Sequence, residues 1–276
     1  MLRLICVLTG VLSFAASAGP VFGADLPDRT AANAMLDHFR RSLYAEPVYI
    51  EFELREMPRR GPERLYHGRL WGARNDKGPV ARFELDASQG APAHNILVQG
   101  GPDASLWIAT PPGPAARSET ALLAPLVPGL QMTPFDLQMP YLYWLDAALT
   151  GEQRVRGRSA YVYTFTPPGE FTAANPDIRG VRVYLDTQYD ALMQSEILAA
   201  DGKVAKTLSL LELRKVGDRW LPRDLDVRDD VSRDKTRLSV TAIAIGVSMD
   251  PAAFDPSRLG ASAAAPPGSS VTRVTQ

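Results

Sequence analysis

Hydrophobic and polar positions alternate over much of this chain. Val48, Ile50, Phe52 and Leu54 interleave with Tyr49, Glu51, Glu53 and Arg55, the period-two signature of a strand with one buried face. Leu65 to Arg74, carrying Tyr66, Leu70 and Trp71, predicts a second strand. A turn at Asn75-Asp76-Lys77-Gly78 leads to Ala81, Phe83 and Leu85 at the same period. His94 to Gln99 and Ser105 to Thr110 predict two shorter strands. After Tyr161, Tyr163 and Phe165 the alternation returns through Val181, Val183 and Leu185. It continues in Ala191–Ala200, Val204–Lys215, Arg219–Arg228 and Lys235–Ile245, with turn residues between. Strands at this regular spacing predict an antiparallel meander.

Two stretches break the pattern. Thr30 to Tyr44 predicts a helix, with Thr30 as its cap, Ala31, Met35, Phe39 and Leu43 on one stripe, and Pro47 beyond its end. Pro111 to Pro140 holds seven prolines, too many for the interior of a sheet. Short helical pieces fit between them at Ser118–Ala124 and from Thr133, where Thr133 caps and Pro134 takes the first helical position. Tyr141–Leu149 predicts a strongly apolar helical piece. The tail from Pro256, rich in Ala, Ser and Pro, reads as disordered. The expected fold is therefore mainly β with α: one domain over 24–259 with a large curved antiparallel sheet covered by helices, and a disordered tail at 260–276.

The first residues change the address. Met1-Leu2-Arg3 precedes the apolar run Leu4–Ala16, and small residues before Ala24 or Gly19 offer cleavage sites, so 1–23 reads as a signal peptide. The expected mature protein is soluble and exported. The single cysteine, Cys6, falls inside this segment, which excludes disulfides and thiol chemistry from the mature chain. With 30 Lys+Arg against 31 Asp+Glu there is no basic surplus to neutralise nucleic-acid phosphates, so no nucleic-acid partner is expected.

Candidate chemistry is sparse. Gly157-Arg158-Ser159-Ala160-Tyr161 lacks the second glycine of a nucleophile elbow and precedes a strand. No phosphate-binding glycine motif occurs. His38, His67 and His94 lie in no metal-ligand spacing. The acidic run Asp224, Asp226, Asp229, Asp230, Asp234 lacks the glycine and the closing glutamate of a calcium loop, and Asp224 and Asp226 fall on the solvent face of a strand. The expectation is a protein without catalytic residues, metal or cofactor.

What remains is a surplus of apolar positions for a sheet with one soluble face. Tyr189-Asp190, the run Asp201 to Leu208 (DGKVAKTL), Gly217 to Pro222 (GDRWLP) and Lys235 to Leu238 (KTRL) resemble the outer-membrane lipoprotein-sorting family, the LolA-like periplasmic carriers. The resemblance covers roughly 161–259, with weaker support from 48–85. It implies an unclosed half-barrel in the periplasm whose apolar cavity holds the acyl chains of a lipoprotein, with an inner-membrane donor and an outer-membrane acceptor as partners. On that basis Ile50, Phe52, Leu54, Phe83, Leu85 and Trp107 are the expected cavity lining, and Leu142, Trp144 and Leu145 the expected lid. Arg69, on a strand face with Leu65 and Trp71, is the candidate for a lid-latching arginine. The alternative is a lipid-sensing envelope-stress regulator of the same fold that binds a membrane-anchored signalling protein.

Overall fold

The computed structural model describes residues 26–88, 90–118, 120–189, 191–216 and 219–274. The expected signal peptide and the Gly217-Asp218 turn lie outside them. Helix α1 (Arg29–Ser42) opens the chain. Strands β1 (Val48–Met57), β2 (Arg64–Asn75), β3 (Gly78–Leu85), β4 (His94–Gln99), β5 (Ser105–Ala109) and β6 (Ala116–Arg117) follow as a meander. A covering segment then carries a 3-10 turn at Thr120–Leu123, helix α2 (Pro134–Gln138) and a second 3-10 turn at Pro140–Tyr143. The second half comprises β7 (Asp146–Val155), β8 (Arg158–Thr166), helix α3 (Gly169–Ala174), β9 (Ile178–Asp186), β10 (Leu192–Ala199), β11 (Val204–Val216), β12 (Arg219–Asp229) and β13 (Lys235–Ile245). A two-residue strand, β14 (Thr272–Arg273), ends the described chain.

All these strands join one antiparallel sheet in the order β6-β5-β4-β3-β2-β1-β13-β12-β11-β10-β9-β8-β7, with β14 added to β13. The first and last strands do not meet, so the sheet is unclosed, as the family resemblance implied. The two meanders are fused by β1 pairing with β13, Ile50 opposite Ile243 and Leu54 opposite Leu238.

Several elements differ from the sequence expectation. Asp28, not Thr30, caps α1, its Oδ1 accepting from Ala31 N at 2.8 Å. The buried stripe is Ala32, Leu36 and Phe39, which keeps Phe39 of the expected stripe and replaces Ala31 and Met35 by their neighbours. Ser118–Ala124 forms only the single 3-10 turn. Tyr141–Leu149 is no helix: its first residues make a 3-10 turn, and Asp146 onward pairs with β8, Ala147 opposite Phe165 and Leu149 opposite Tyr163. Pairing with a neighbouring strand overrides the local helical preference there. The expected cap at Thr133 with Pro134 behind it is present at α2.

The tail from Pro256 is not free either. It lies across the outer face of β1–β4, where Trp71 Nε1 donates to Ala264 O at 3.0 Å and Asn95 Nδ2 donates to Leu259 O at 2.8 Å. Arg82 and Glu84, 1% and 2% exposed, pair with each other on that face. Arg82 donates to the carbonyls of Ala253, Arg258 and Ala261, and Glu84 accepts from Ala263 N at 2.7 Å. Composition alone missed this, because the contacts use the tail's backbone rather than its small side chains. The sheet is thus covered on both faces over β1–β4.

Candidate functional site

The inner, concave face is built by register. Ile243, Ile50, Leu70, Phe83, Ile96 and Ile108 stand opposite one another across β13, β1, β2, β3, β4 and β5, giving one unbroken apolar row. A second row runs Leu54, Leu238, Leu225 and Leu210 from β1 into β11. Gly68 opposes Phe52 across the ladder, and a Cβ there would meet Phe52 Cζ at 2.6 Å. The missing side chain lets the Phe52 ring lie over β2 and reach Phe83, edge to face at 6.5 Å between centroids.

The covering segment fills this concavity. Leu126, Val127, Leu130 and Met132 pack onto Phe52, Leu54, Phe83, Leu85 and Ile96. Phe135, Tyr141, Leu142 and Trp144 pack with α1 and with Tyr163, Phe165, Val181 and Val183 in a second cluster. Leu122 and Leu192 touch both clusters, so the apolar interior is continuous from end to end. Burial pushes the Tyr141 hydroxyl well above the ordinary tyrosine range, against a smaller lowering from the Ser195 side chain, the mark of a poorly hydrated interior.

A few polar contacts tie the cover to the sheet. Lys206 Nζ on β11 donates to Asp136 Oδ2, and the same oxygen accepts from Thr133 N at 2.8 Å. Gln131 N donates to Thr236 Oγ1 at 2.6 Å, and Gln138 Nε2 donates to Gln99 O at 2.8 Å. Glu56, buried beside Gly129, accepts from Arg64 Nη2 at 2.9 Å. Sequence reasoning did not single out these residues as a site. The one readable signal was Thr133-Pro134-Phe135-Asp136, a capping pattern whose aspartate also serves a distant lysine.

Of the expected lining residues, Phe52, Leu54, Phe83 and Leu85 meet in the concave core and Ile50 borders it half-buried. Trp107 does not. It faces outward with Val80, Leu97 and Leu259, because strand alternation fixes two sets of residues without saying which set faces in. Of the expected lid, Leu142 and Trp144 are buried, whereas Leu145 points fully into solvent just before β7. Arg69 is also on the outer face, 3.3 Å from both Glu84 and Asp86, and latches nothing over the concavity.

No cluster of three or more His, Cys, Asp or Glu able to hold a metal occurs among the described residues. Asp224 and Asp226 are engaged across the ladder, by Ser239 Oγ at 2.6 Å and by Arg237 Nε and Nη2 at 2.7 and 2.9 Å. No helix among the described residues is long and apolar enough to cross a membrane.

The architecture has solved counterparts. A putative outer membrane lipoprotein-sorting protein domain from Vibrio parahaemolyticus superposes with a TM-score of 0.72 at 14% identity, covering 84% of this chain and 97% of that one. A DUF1329 family protein from Desulfovibrio piger gives 0.70 at 15% identity, over 83% and 98% of the two chains. A LolA superfamily protein from Nitrosomonas europaea gives 0.61 at 14%, over 81% and 97%. The chain shares the fold of these three structures. At these identities the likeness speaks for architecture alone. A family model described as "Uncharacterized protein" matches residues 131–261. No curated protein matches the chain.

Proposed function

We propose that this protein is a periplasmic carrier that shields the acyl chains of lipoproteins or lipids in its concave face for transfer toward the outer membrane. The observation that carries the reading is the continuous apolar concavity, covered by a proline-interrupted segment that is tied down at isolated polar points. The fold shared with a putative outer membrane lipoprotein-sorting protein domain and a LolA superfamily protein supports it.

The concavity is filled by the chain's own side chains in this conformation, so cargo enters by displacing the cover. Each acyl methylene moved out of water contributes about 0.8 kcal/mol. A few long chains in water would therefore exceed the practical ceiling of noncovalent affinity, about −18 to −21 kcal/mol. Such a carrier hands its cargo from one apolar host to another. The cover's leucines and aromatics replace the cargo in the empty protein, which keeps the face from water between loads.

The test is native mass spectrometry of the full chain purified without detergent from its own envelope, before and after adding a triacylated lipopeptide. A mass increment equal to the lipopeptide, lost on mild activation, supports the carrier. A clean apo mass with no uptake overturns it. Uptake of free phospholipid alone would shift the cargo from lipoprotein to lipid.

A further inference from the structure

The sheet splits between β12 and β13. Their pairing runs only from Arg228↔Lys235 to Asp224↔Ser239, and past Val240 the edge of β13 turns away from β12. The chain's own C-terminus fills this gap: β14 pairs Thr272 with Ile243 and Arg273 with Ala242, and Val274 N donates to Thr241 O at 2.9 Å. Val274 then packs against the concave core, so the tail passes from the outer face into the gap.

The two parts of the tail are held very differently. Its base is clamped by the buried Arg82–Glu84 pair, Asn95 and Trp71. Its tip has two exposed strand residues, the apolar contacts of Val271 and Val274, and one ion pair, Arg273 Nη1 to Glu51 Oε2 at 2.6 Å, with side chains 70% and 30% exposed. Between base and tip lies Ala265-Pro266-Pro267-Gly268. Beside the tip is an outer-face cleft of about 610 Å³ lined by Glu51, Glu53, His67, Arg69, Asp86 and Arg273. Arg69 is already engaged by Glu84 and Asp86. Without Arg273 the cleft would present three carboxylates, Glu51, Glu53 and Asp86, beside Arg69 opposite Glu51 and His67 opposite Glu53.

We propose that the β13 edge beyond Val240 is a strand-docking site for an extended peptide segment of a partner protein bearing a basic side chain, occupied in the resting chain by its own C-terminal strand. Backbone ladder bonds supply the affinity, as in other strand additions, and the acidic cleft selects the basic residue. The cis tail competes, so the apparent affinity for a partner scales with the fraction of chains whose tip is released. The inference is independent of whether the concavity carries lipid.

The probe is a fluorescent peptide with the sequence of residues 268–276, titrated by polarisation against the full-length chain and two full-length variants. Arg273→Glu loosens the cis tail, and peptide affinity is expected to rise about fivefold over wild type, the scale of one exposed ion pair. Glu51→Lys combined with Arg273→Glu restores the cis pair with reversed charge and places a cation opposite the peptide's arginine. Binding then falls to the wild-type level or below. Equal binding to all three proteins, or no saturable binding to Arg273→Glu, overturns the proposal. Concentration-dependent dimerisation of Arg273→Glu also overturns it, in favour of tail exchange between copies. Identical thermal unfolding of the three chains confirms that the readout reports the edge and not the fold.

Discussion

Lys206 on β11 and Asp136 in α2 form an ion pair between side chains only 16% and 6% exposed, joining residues 70 positions apart in sequence. It ties the covering segment directly to the sheet. The pair also holds Thr133, whose backbone N–H shares the same carboxylate. Removing the lysine leaves Asp136 largely buried without its cation, at a cost of about 3 kcal/mol. Lys206→Met is therefore expected to lower stability by about that amount in urea unfolding and to speed uptake of a lipopeptide. If unfolding shifts while uptake kinetics stay unchanged, the cover is fixed core and does not act as a lid.

The concave face itself was legible because alternation and register are coupled. Once Phe52 and Leu54 face inward, antiparallel pairing fixes Phe83, Leu85 and Ile96 on the same side. Trp107 was misplaced for a physical reason. On β5 both Leu106 and Trp107 have apolar surroundings, since the tail covers the outer face that would otherwise be wet. The tail's placement depends on backbone groups reaching Arg82, Glu84 and Asn95, and backbone groups leave no mark in composition. Likewise the Lys206–Asp136 pair lies beyond any local window, although Thr133, which shares that carboxylate, was visible as the cap.

Gly68 is the point where the core has no slack. A Cβ there would sit 2.6 Å from Phe52 Cζ and 2.7 Å from Glu84 O. Gly68→Ala is expected to cost about 1–3 kcal/mol by overpacking, measured by urea unfolding. Phe52→Leu should recover part of that loss in the double variant, because it clears the ring while leaving the Glu84 carbonyl in place. Simple additivity of the two changes would mean the ring is not the obstacle.

Charge inside the concavity separates lining from support. Phe52→Glu puts a carboxylate into the apolar row beside Phe83, so lipopeptide uptake is expected to fall by more than soluble yield does. Equal loss of both would make Phe52 ordinary core.

Acid should weaken the fold in two steps. Burial lowers the pKa of His94 from 6.5, so its neutral form is favoured in the native state. That contribution is fully present above about pH 6.5 and is lost as pH falls toward the folded value. Burial alone would raise the pKa of Asp186. The hydrogen bond from Arg158 at 2.6 Å and the N–H groups of Gln188 and Tyr189 outweigh it, leaving the carboxyl below 3.8. Its contribution persists through pH 4 and is lost only in stronger acid. His94→Gln is expected to flatten the urea midpoint between pH 7 and 5 while leaving the drop below pH 4 intact. A midpoint that still falls between pH 7 and 5 would assign the first step to another group.

The buried Arg82–Glu84 pair makes the tail part of the folded unit. Arg82 reaches two tail carbonyls, of Arg258 and Ala261, besides that of Ala253, and Glu84 accepts from one tail N–H, so the pair satisfies groups that small side chains cannot. Arg82→Leu strands Glu84 with only Arg69 at 3.3 Å and is expected to cost about 3–5 kcal/mol. Changing both residues to leucine removes the buried charges together and should recover much of that loss, though the tail carbonyls lose their donor. Amide exchange separates the effects: in the double variant the 259–264 amides should exchange faster while β3 stays protected. Protection of both segments at wild-type levels would show that apolar packing, not the ion pair, seats the tail.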